Sequence, residues 1–239
     1  MSRWTDKIKP MTTIYADFLT CAVCHEVSEF QIMGSTSTFG SYDLDLRAPR
    51  LARYTMDSSL QDCPECGYVN DSVEVLVPGA AEVMRSAEFA ALRHDAVTPK
   101  LVSAFKRHAL IVSADPVEAG WALLHAAWVY DDLKQPERAC ECRQECADFW
   151  VGVDWPADEQ GARNQAVLVD VLRRARCFDE AAALIERLLP HPAITDGIDR
   201  ALRFQTQLIS RRDAECHTCE EAFENEPQDR RSLKRSRGG

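Results

Sequence analysis

The sequence lacks any apolar stretch long enough to span a lipid bilayer. Its longest apolar stretches, such as residues 121–130, fall far short of the roughly 20 consecutive apolar residues that a transmembrane helix needs. The N-terminus, residues 1–9, is polar and charged, and no apolar segment of the kind found in secretory signals follows it. These two absences predict a cytoplasmic protein that makes no contact with a membrane.

The sequence also lacks the surplus of positive charge that nucleic-acid binding usually requires. It has 28 Lys and Arg against 38 Asp and Glu, a formal net charge of −10, whereas contacts with phosphate groups supply most of the affinity for nucleic acids. Residues 1–78 are acidic in themselves, with 6 Lys and Arg against 11 Asp and Glu. The charge balance therefore argues against nucleic acid as a partner. The exception is residues 225–239, with five Lys and Arg against two acids.

Common catalytic signatures are absent as well. The sequence has no Gly-rich phosphate loop, no Gly-x-Ser-x-Gly nucleophile elbow and no His-Glu-x-x-His helix. His94, His108 and His125 occur singly, and a single histidine is more often a surface residue or a hydrogen-bonded core residue than a catalytic base. The sequence thus predicts a protein that is not an enzyme.

Cysteine is plentiful, and the segment from Cys63 to Tyr68 carries the strongest chemical signal. It has the sequence Cys-Pro-Glu-Cys-Gly-Tyr. Proline favours a tight turn, and a glycine after the second cysteine tolerates a positive φ while backbone amides face the sulfurs. This combination is typical of a metal-binding knuckle. In a chain of this length without an export signal, such pairs more often bind metal or act in redox chemistry than form structural disulfides.

A second Cys-x-x-Cys pair, Cys21 and Cys24, supplies the other half of the expected site. It lacks the proline and the glycine, and 38 residues with strand-like sequence separate it from Cys63. Together with Cys66, the two pairs offer four sulfurs, the number that a closed tetrahedral zinc site requires. We therefore predict one structural zinc ion bound by Cys21, Cys24, Cys63 and Cys66. A closed four-thiolate site leaves no coordination position for a substrate.

Other interpretations of the cysteines stay open at this stage. The four could be unligated, or they could cycle between thiols and disulfides, although neither pair lies in the βαβ context of thioredoxin-type motifs. A third pair, Cys216 and Cys219, could combine with Cys142 and Cys146 in a second metal or redox site. Alternatively, Cys140, Cys146 and Cys177 are small apolar residues in helix contacts, and the others are partly exposed.

The periodicity of apolar residues changes near residue 78. Before it, residues 42–47 alternate between apolar and charged side chains, and in residues 73–77 three valines alternate with Glu74 and Leu76. Both patterns predict strands. After it, proline and acidic N-cap signals predict helices. The expected helices cover residues 116–131, 136–150, 158–176 and 178–189, and a last long helix runs from 195 or 196 to about 224.

These patterns predict an α+β protein in which a small β-rich, zinc-ribbon-like module precedes an α-helical, TPR-like domain of paired helices. The predicted boundaries are 1–78 for the zinc module, 79–224 for the helical domain and 225–239 for a disordered basic tail. Residues 139 and 181, which occupy similar places in two helix pairs, are 42 positions apart, whereas a TPR repeat has about 34 residues. A generic helical bundle is therefore the alternative to degenerate TPR-like pairs.

Three parts of the chain together resemble a known family. They are Cys21 with Cys24, the knuckle from Cys63 to Tyr68, and residues 124–130 with the sequence Leu-His-Ala-Ala-Trp-Val-Tyr. This layout, over residues 18–190, resembles a group of uncharacterised bacterial proteins, the domain of unknown function twenty-two twenty-five. The first knuckle departs from the family, because Ala22 and His25 stand where proline and glycine are expected. The resemblance implies a zinc site and a helical scaffold, and it implies no reaction.

The function that fits these expectations is that of a non-catalytic, zinc-binding scaffold. Stacked helix pairs form concave surfaces suited to peptides or partner helices, so we expect the helical domain to bind a partner protein whose identity the sequence does not give. The alternative is a zinc-ribbon protein that binds nucleic acid or acts in transcription, which the acidic charge of residues 1–78 opposes. A thiol redox protein is the third possibility.

Overall fold

The computed structural model describes residues 12–224, so the predictions for residues 1–9 and for the tail 225–239 fall outside the described residues. Two small antiparallel sheets lie in the first third of the chain, and helices make up most of the rest. The expected mixture of a β-containing N-terminal part and a helical remainder is confirmed. The TPR-like character of the helices and the division into domains stay predictions.

Each of the two sheets is a single hairpin. Strands β1 (Thr13–Thr20) and β2 (Val27–Ser35) pair antiparallel, with Thr20 opposite Val27 at the turn. The much shorter strands β3 (Gln61–Asp62) and β4 (Val69–Asn70) form the second hairpin. In both hairpins the turn between the strands contains a Cys-x-x-Cys pair.

The strand predicted at residues 42–47 is wrong. Leu46 takes a left-handed conformation (φ 62°), and its N–H donates to the carbonyl of Asp43. Only Asp43 makes a bridge to another segment of the described chain, to Thr218. The alternating pattern misled because its charged residues are buried too: Leu44 packs with helix residues, and Asp43 and Asp45 are buried in contact with arginines.

The strand predicted at residues 73–77 is also wrong. The N–H of Val75 donates to the carbonyl of Ser72, which closes a turn in place of an extended chain. The hydroxyl of Tyr68 donates to the carbonyl of Val75 and accepts from the N–H of Val77. A buried tyrosine side chain thus binds the backbone groups that a neighbouring strand would otherwise pair.

Ten α-helices follow in chain order within residues 12–224; the second hairpin lies between the first two, and loops of at most eight residues separate the others. Their bounds are α1 Arg50–Arg53, α2 Ala80–Val83, α3 Ala87–His94, α4 Lys100–Ile111, α5 Pro116–Asp132, α6 Pro136–Trp150, α7 Glu159–Arg174, α8 Phe178–Leu188, α9 Asp196–Ser210 and α10 Cys219–Glu224. The four helices predicted between residues 116 and 189 are therefore confirmed, with ends that differ by at most two residues.

Local capping explains why several of these helices begin and end where they do. Asp115 accepts hydrogen bonds from two amides in the first turn of α5, and Asp158 accepts one in the first turn of α7. At the C-terminal ends of α5, α7 and α9, the chain turns through a left-handed residue, which is Lys134, Arg176 or Arg212 in place of the usual glycine.

The last helix is shorter than the sequence pattern predicts. Helix α9 ends at Ser210, Arg212 is left-handed (φ 51°), and the N–H of Asp213 donates back to the carbonyl of Leu208. Helix α10 begins only at Cys219. The prediction of one continuous helix to residue 224 is therefore wrong, and Cys216 lies in the loop between the two helices.

Consecutive helices from α3 to α9 pack against one another, and α9 also contacts α7. The contact between α5 and α6 is close because Gly120 faces the indole of Trp150, where a β-carbon would come within 2.0 Å of Nε1. Within residues 12–224, no helix is both long and apolar enough to span a membrane.

A cluster of buried charges joins the loop at residue 45 to the helices. The carboxylate of Asp45 is fully buried and accepts a hydrogen bond from the indole of Trp128 at 2.8 Å. Its Oδ2 lies 3.0 Å from a guanidinium nitrogen of Arg174 and 3.6 Å from one of Arg143. Both arginines also contact Asp131, at 2.8 and 2.6 Å. The negative charges of two aspartates thus balance the positive charges of two arginines in a site that is nearly closed to water.

The balance of charges keeps both carboxylates ionised. Burial by itself raises the pKa of Asp45, but the Coulombic attraction of Arg174 and Arg143 outweighs it, so the pKa lies below its ordinary value. At Asp131, too, the attraction of Arg143 and Arg174 outweighs the effect of burial and lowers the pKa. Beside this cluster, burial lowers the pKa of His125 to about 4, so this histidine is neutral at neutral pH.

We predict that Asp45→Asn lowers the free energy of unfolding by about 3–5 kcal/mol, because it leaves the two buried guanidinium groups of Arg143 and Arg174 with only one carboxylate, that of Asp131. Denaturation with urea, followed by circular dichroism, measures the change. The control is Glu141→Gln, since Glu141 pairs with Arg138 and both side chains are more than half exposed, and about 1 kcal/mol or less is expected there. Equal effects of the two variants would contradict a special role for Asp45.

Candidate metal centre

The two hairpin turns bring the predicted ligands Cys21, Cys24, Cys63 and Cys66 together. All four Sγ atoms lie within 4.8 Å of one another. The Sγ of Cys21 lies 3.7 Å from that of Cys66, and the Sγ of Cys24 lies 3.6 Å from that of Cys63. Four sulfurs bound at about 2.3 Å in a tetrahedron are about 3.8 Å apart. Two of the sulfur–sulfur distances therefore match a tetrahedral metal site, and the other four lie within 4.8 Å, so the four sulfurs could hold one ion.

The two knuckles have the same backbone hydrogen bonds despite their different sequences. In the first, the N–H of Cys21 donates to the carbonyl of Glu26, and the N–H of His25 donates to the carbonyl of Cys21. In the second, the N–H of Cys63 donates to the carbonyl of Tyr68, and that of Gly67 donates to the carbonyl of Cys63. The missing proline in the first knuckle therefore does not change its conformation.

The residue after the second cysteine is left-handed in both knuckles. Gly67 has φ 79° and His25 has φ 64°. Glycine takes this conformation without a steric cost, whereas a residue with a β-carbon takes it at a cost of about 1 kcal/mol or more. His25 therefore occupies the place of a knuckle glycine, and its side chain is exposed and is not one of the four clustered ligands.

Backbone amides point at the sulfurs, as expected for thiolate ligands. The N–H of Val23 lies 3.4 Å from Sγ of Cys21, and that of Tyr68 lies 3.5 Å from Sγ of Cys66. Hydrogen bonding from the backbone of Glu26 lowers the pKa of Cys24. Burial, in contrast, raises the pKa of Cys63 and Cys66. A bound cation is the partner that stabilises buried thiolates most directly.

Arginines from the helical part bind the second knuckle through its carbonyl groups. Arg93, in α3, donates to the carbonyls of Glu65 and Cys66 at 2.7 Å each. Arg107, in α4, is buried and donates to the carbonyl of Gly67 at 2.7 Å and to the carboxylate of Asp62 at 3.0 Å. The metal centre is thereby attached to α3 and α4 rather than separated from them by a linker.

The donor set fits a metal with a preference for sulfur. Four cysteine sulfurs in a tetrahedral arrangement are typical of zinc or of iron–sulfur centres. Cys21 and Cys63 are buried and Cys24 and Cys66 are partly buried, so the knuckles themselves enclose the site. Once four thiolates coordinate an ion, no position is left for water or substrate.

The structure does not assemble a second metal site from the other cysteines. Among residues 12–224, Cys21, Cys24, Cys63 and Cys66 form the only group of three or more potential ligands within range of one another. Cys146 is buried in α6 as expected, whereas Cys142 is buried in place of the expected partial exposure, and Cys140 and Cys177 are only partly buried. Cys219 donates to the carbonyl of Asp43, and Cys216 is exposed in the loop before α10.

Sequence reasoning missed the residues that support the knuckles. Arg93 and Arg107 have no pattern that distinguishes them from surface arginines on amphipathic helices, because their partners are carbonyl and carboxylate groups 27 to 45 residues away. Tyr68 stood out only as part of the knuckle motif. It is fully buried, and its hydroxyl orders the turn at Val75 and Val77.

The difference between the knuckles leads to a test of backbone strain. We predict that His25→Gly raises the melting temperature by about 2–4 °C, because a left-handed position gains about 1 kcal/mol when its β-carbon is removed. Gly67→Ala should lower the melting temperature, because its β-carbon would come within 2.7 Å of Nε of Arg93. Differential scanning calorimetry of metal-loaded protein measures both. A destabilising His25→Gly would show that the imidazole has a role of its own.

Comparison with known proteins gives no relative. No protein-family model matches the chain, and the searches of curated proteins and of solved structures give no match either. The resemblance to the domain of unknown function twenty-two twenty-five therefore stays a prediction. Any statement about function depends on the geometry of the chain itself.

Proposed function

We propose that the protein binds one zinc ion as a structural centre and that its helical part is a scaffold for a partner protein. The observation that supports the first part is the cluster of four cysteine sulfurs at tetrahedral spacing. Zinc is the expected ion because it has no redox chemistry and binds thiolates in closed tetrahedral sites. Iron is the competing ion for the same donor set.

The role of this ion is structural rather than catalytic. The cysteines lie in two short hairpins, one of which has strands of only two residues each, and hairpins of this size are marginally stable in water. A structural zinc ion contributes on the order of 10 kcal/mol to the folding of such modules. The ion would therefore stabilise both knuckles and, through Arg93 and Arg107, their contact with α3 and α4.

We predict about one equivalent of zinc per chain in protein purified without added metal, as measured by elemental analysis. Cys63→Ser should remove most of the metal and disorder the two hairpins, whereas helical circular dichroism should be largely retained, because α5 to α9 have an apolar core of their own. Cys177→Ser is the control, since Cys177 is a partly buried cysteine outside the cluster.

Two results would contradict this assignment. If the purified protein contains no metal and all four thiols of the cluster react with a thiol reagent, a resident ion is excluded. Protein that contains iron and has the visible absorption of iron–thiolate bonds would replace zinc with iron and would keep the geometry.

The helical part has a groove suited to an amphipathic helix. It has a volume of about 440 Å³ and lies among α3, α4, α5 and α6. Its apolar residues are Ala91, Leu92, Ala109, Leu110, Leu123 and Phe149. Apolar grooves between helices are a common docking site for the apolar face of a partner helix.

The charge of the rim indicates what kind of helix would bind. Glu88, Glu145 and Asp148 line the groove together with Lys106. Lys106 forms an ion pair with Glu145 at 2.7 Å, so the rim keeps a net negative charge. The partner we propose is therefore a protein segment that folds as an amphipathic helix, with apolar anchors on one face and Lys or Arg beside them. The same charge opposes nucleic acid.

A model peptide with the expected pattern of apolar and basic residues tests this groove directly. An 18-residue amphipathic helix of Leu and Lys, labelled with a fluorophore, should bind the full chain, and the same helix with Glu in place of Lys should bind at least about tenfold more weakly. Leu110→Asp should weaken binding of the Leu/Lys peptide by a similar factor. Val97→Asp is its matched control, because Val97 is an exposed apolar residue outside the groove.

A charge reversal separates the groove from the general acidity of the chain. Glu88→Lys combined with Asp148→Lys should reverse the preference between the two peptides. Asp179→Lys combined with Glu180→Lys on α8 changes the net charge equally at exposed positions outside the groove, and it should leave the preference intact. If both double variants weaken binding equally, the attraction is only to net charge and the groove is not the binding site.

A further inference from the structure

A second cavity lies on the other side of the helical part and is unrelated to the metal centre and to the groove described above. It has a volume of about 280 Å³. Helices α7, α9 and α10 enclose it together with the loop that carries Leu44 and Leu46. Its walls are mostly apolar, with Val167 on α7, Ile198 on α9 and Phe223 on α10.

One polar group in the wall of this cavity is incompletely bonded. Gln205 lines the cavity and is fully buried. Its amide nitrogen donates to the carbonyl of Ala166 at 3.2 Å. Its Oε1 is buried but accepts no hydrogen bond from any residue between 12 and 224. Buried amide oxygens are nearly always paired in folded proteins, so an unpaired one beside a cavity indicates a missing donor.

A water molecule alone is a poor candidate for that donor. A buried water needs two to four polar partners, and apolar cavities that lack them stay dry. Most of the lining residues, among them Ala166, Val167 and Ile198, offer apolar side chains to the cavity. A molecule with an apolar body and one hydrogen-bond donor satisfies both the walls and the amide oxygen.

The rim of the cavity indicates that this molecule is uncharged. The charged residues there are Glu159 and Arg163, and they form an ion pair with each other at 3.1 Å. Neither charge is therefore left over for a ligand carboxylate or ammonium group. The size of the cavity sets the size of the molecule, since a cavity of about 150 Å³ accepts benzene, and this one is nearly twice as large.

We propose that the cavity between α7, α9 and α10 is a binding site for a neutral bicyclic aromatic molecule that donates one N–H or O–H hydrogen bond to Oε1 of Gln205. The apolar walls bind the rings, and Gln205 selects the donor. The loop at residues 44–46 and Phe223 form the outer walls of the site. This inference is independent of the metal centre and of the proposed partner groove.

Indole and 1-methylindole are a matched pair of probes for this site. They have nearly the same shape, but only indole has an N–H donor, and 1-methylindole is the more apolar of the two. Titration of the full metal-loaded chain, followed by calorimetry, should show indole binding at least about fivefold more tightly, because the donor pairs with the amide oxygen. A cavity with no role for Gln205 gives the opposite order, since the more apolar compound then binds better.

Two variants locate the site and test the role of the amide. Gln205→Met keeps a side chain of similar length but removes the acceptor, so 1-methylindole should then bind at least as tightly as indole. Ala201→Phe fills the cavity and should weaken binding of both compounds at least tenfold. Ala183→Phe on α8 adds the same side chain at an exposed position outside the cavity, and it should change neither affinity.

Three outcomes would overturn the proposal. They are no binding of indole at millimolar concentration, tighter binding of 1-methylindole to the unaltered chain, or binding that survives Ala201→Phe. Circular dichroism and the melting temperature of each variant show whether it is folded. Because Ala201→Phe leaves Gln205 and its bond to Ala166 unchanged, the test does not depend on whether Gln205→Met folds.

Discussion

The carboxylate of Asp45 lies where the N-terminal part of the chain meets α5, α6 and α7. Its partners Trp128, Arg143 and Arg174 come from three different helices. Because a buried carboxylate is costly unless several donors surround it, the loop around residue 45 can occupy only the place where these donors converge. That position in turn brings Asp43 beside Thr218 and makes Leu44 and Leu46 a wall of the cavity.

The candidate metal centre also joins the N-terminal part of the chain to the helices, at the two hairpins. Each knuckle is a short turn with the same hydrogen bonds, and neither hairpin has a large apolar core of its own. The second knuckle is attached to the helices by Arg93 and Arg107 through backbone carbonyls. If the cluster holds an ion, as proposed, its loss would therefore disturb the packing of α3 and α4 as well as the hairpins. These are the helices that contribute Leu92 and Leu110 to the partner groove.

The three sites differ in the physical property that would give each its selectivity. At the metal centre it is the softness and spacing of four sulfurs. At the groove it is the negative rim around an apolar floor, which favours a basic amphipathic helix. At the cavity it is one unpaired amide oxygen among apolar walls. The three sites together are consistent with the proposed scaffold, which would hold a structural ion, bind a partner helix in the groove and bind a small molecule in the cavity.

Features that depend only on residues close together in the chain were predictable from the amino-acid sequence. Cys21 with Cys24 and Cys63 with Cys66 were identified as ligand pairs because a Cys-x-x-Cys turn places two sulfurs side by side whatever surrounds it. Helices α5 and α6 were located closely because Pro116 and Pro136 mark their first turns. The other features depend on contacts between residues far apart in the chain. Residues 42–47 are not a strand because Asp45 pairs with arginines 98 and 129 positions away in the chain, and no local pattern contains such partners. No local pattern identifies Gln205 either, because its unpaired oxygen indicates a binding site only when the surrounding helices form a cavity beside it.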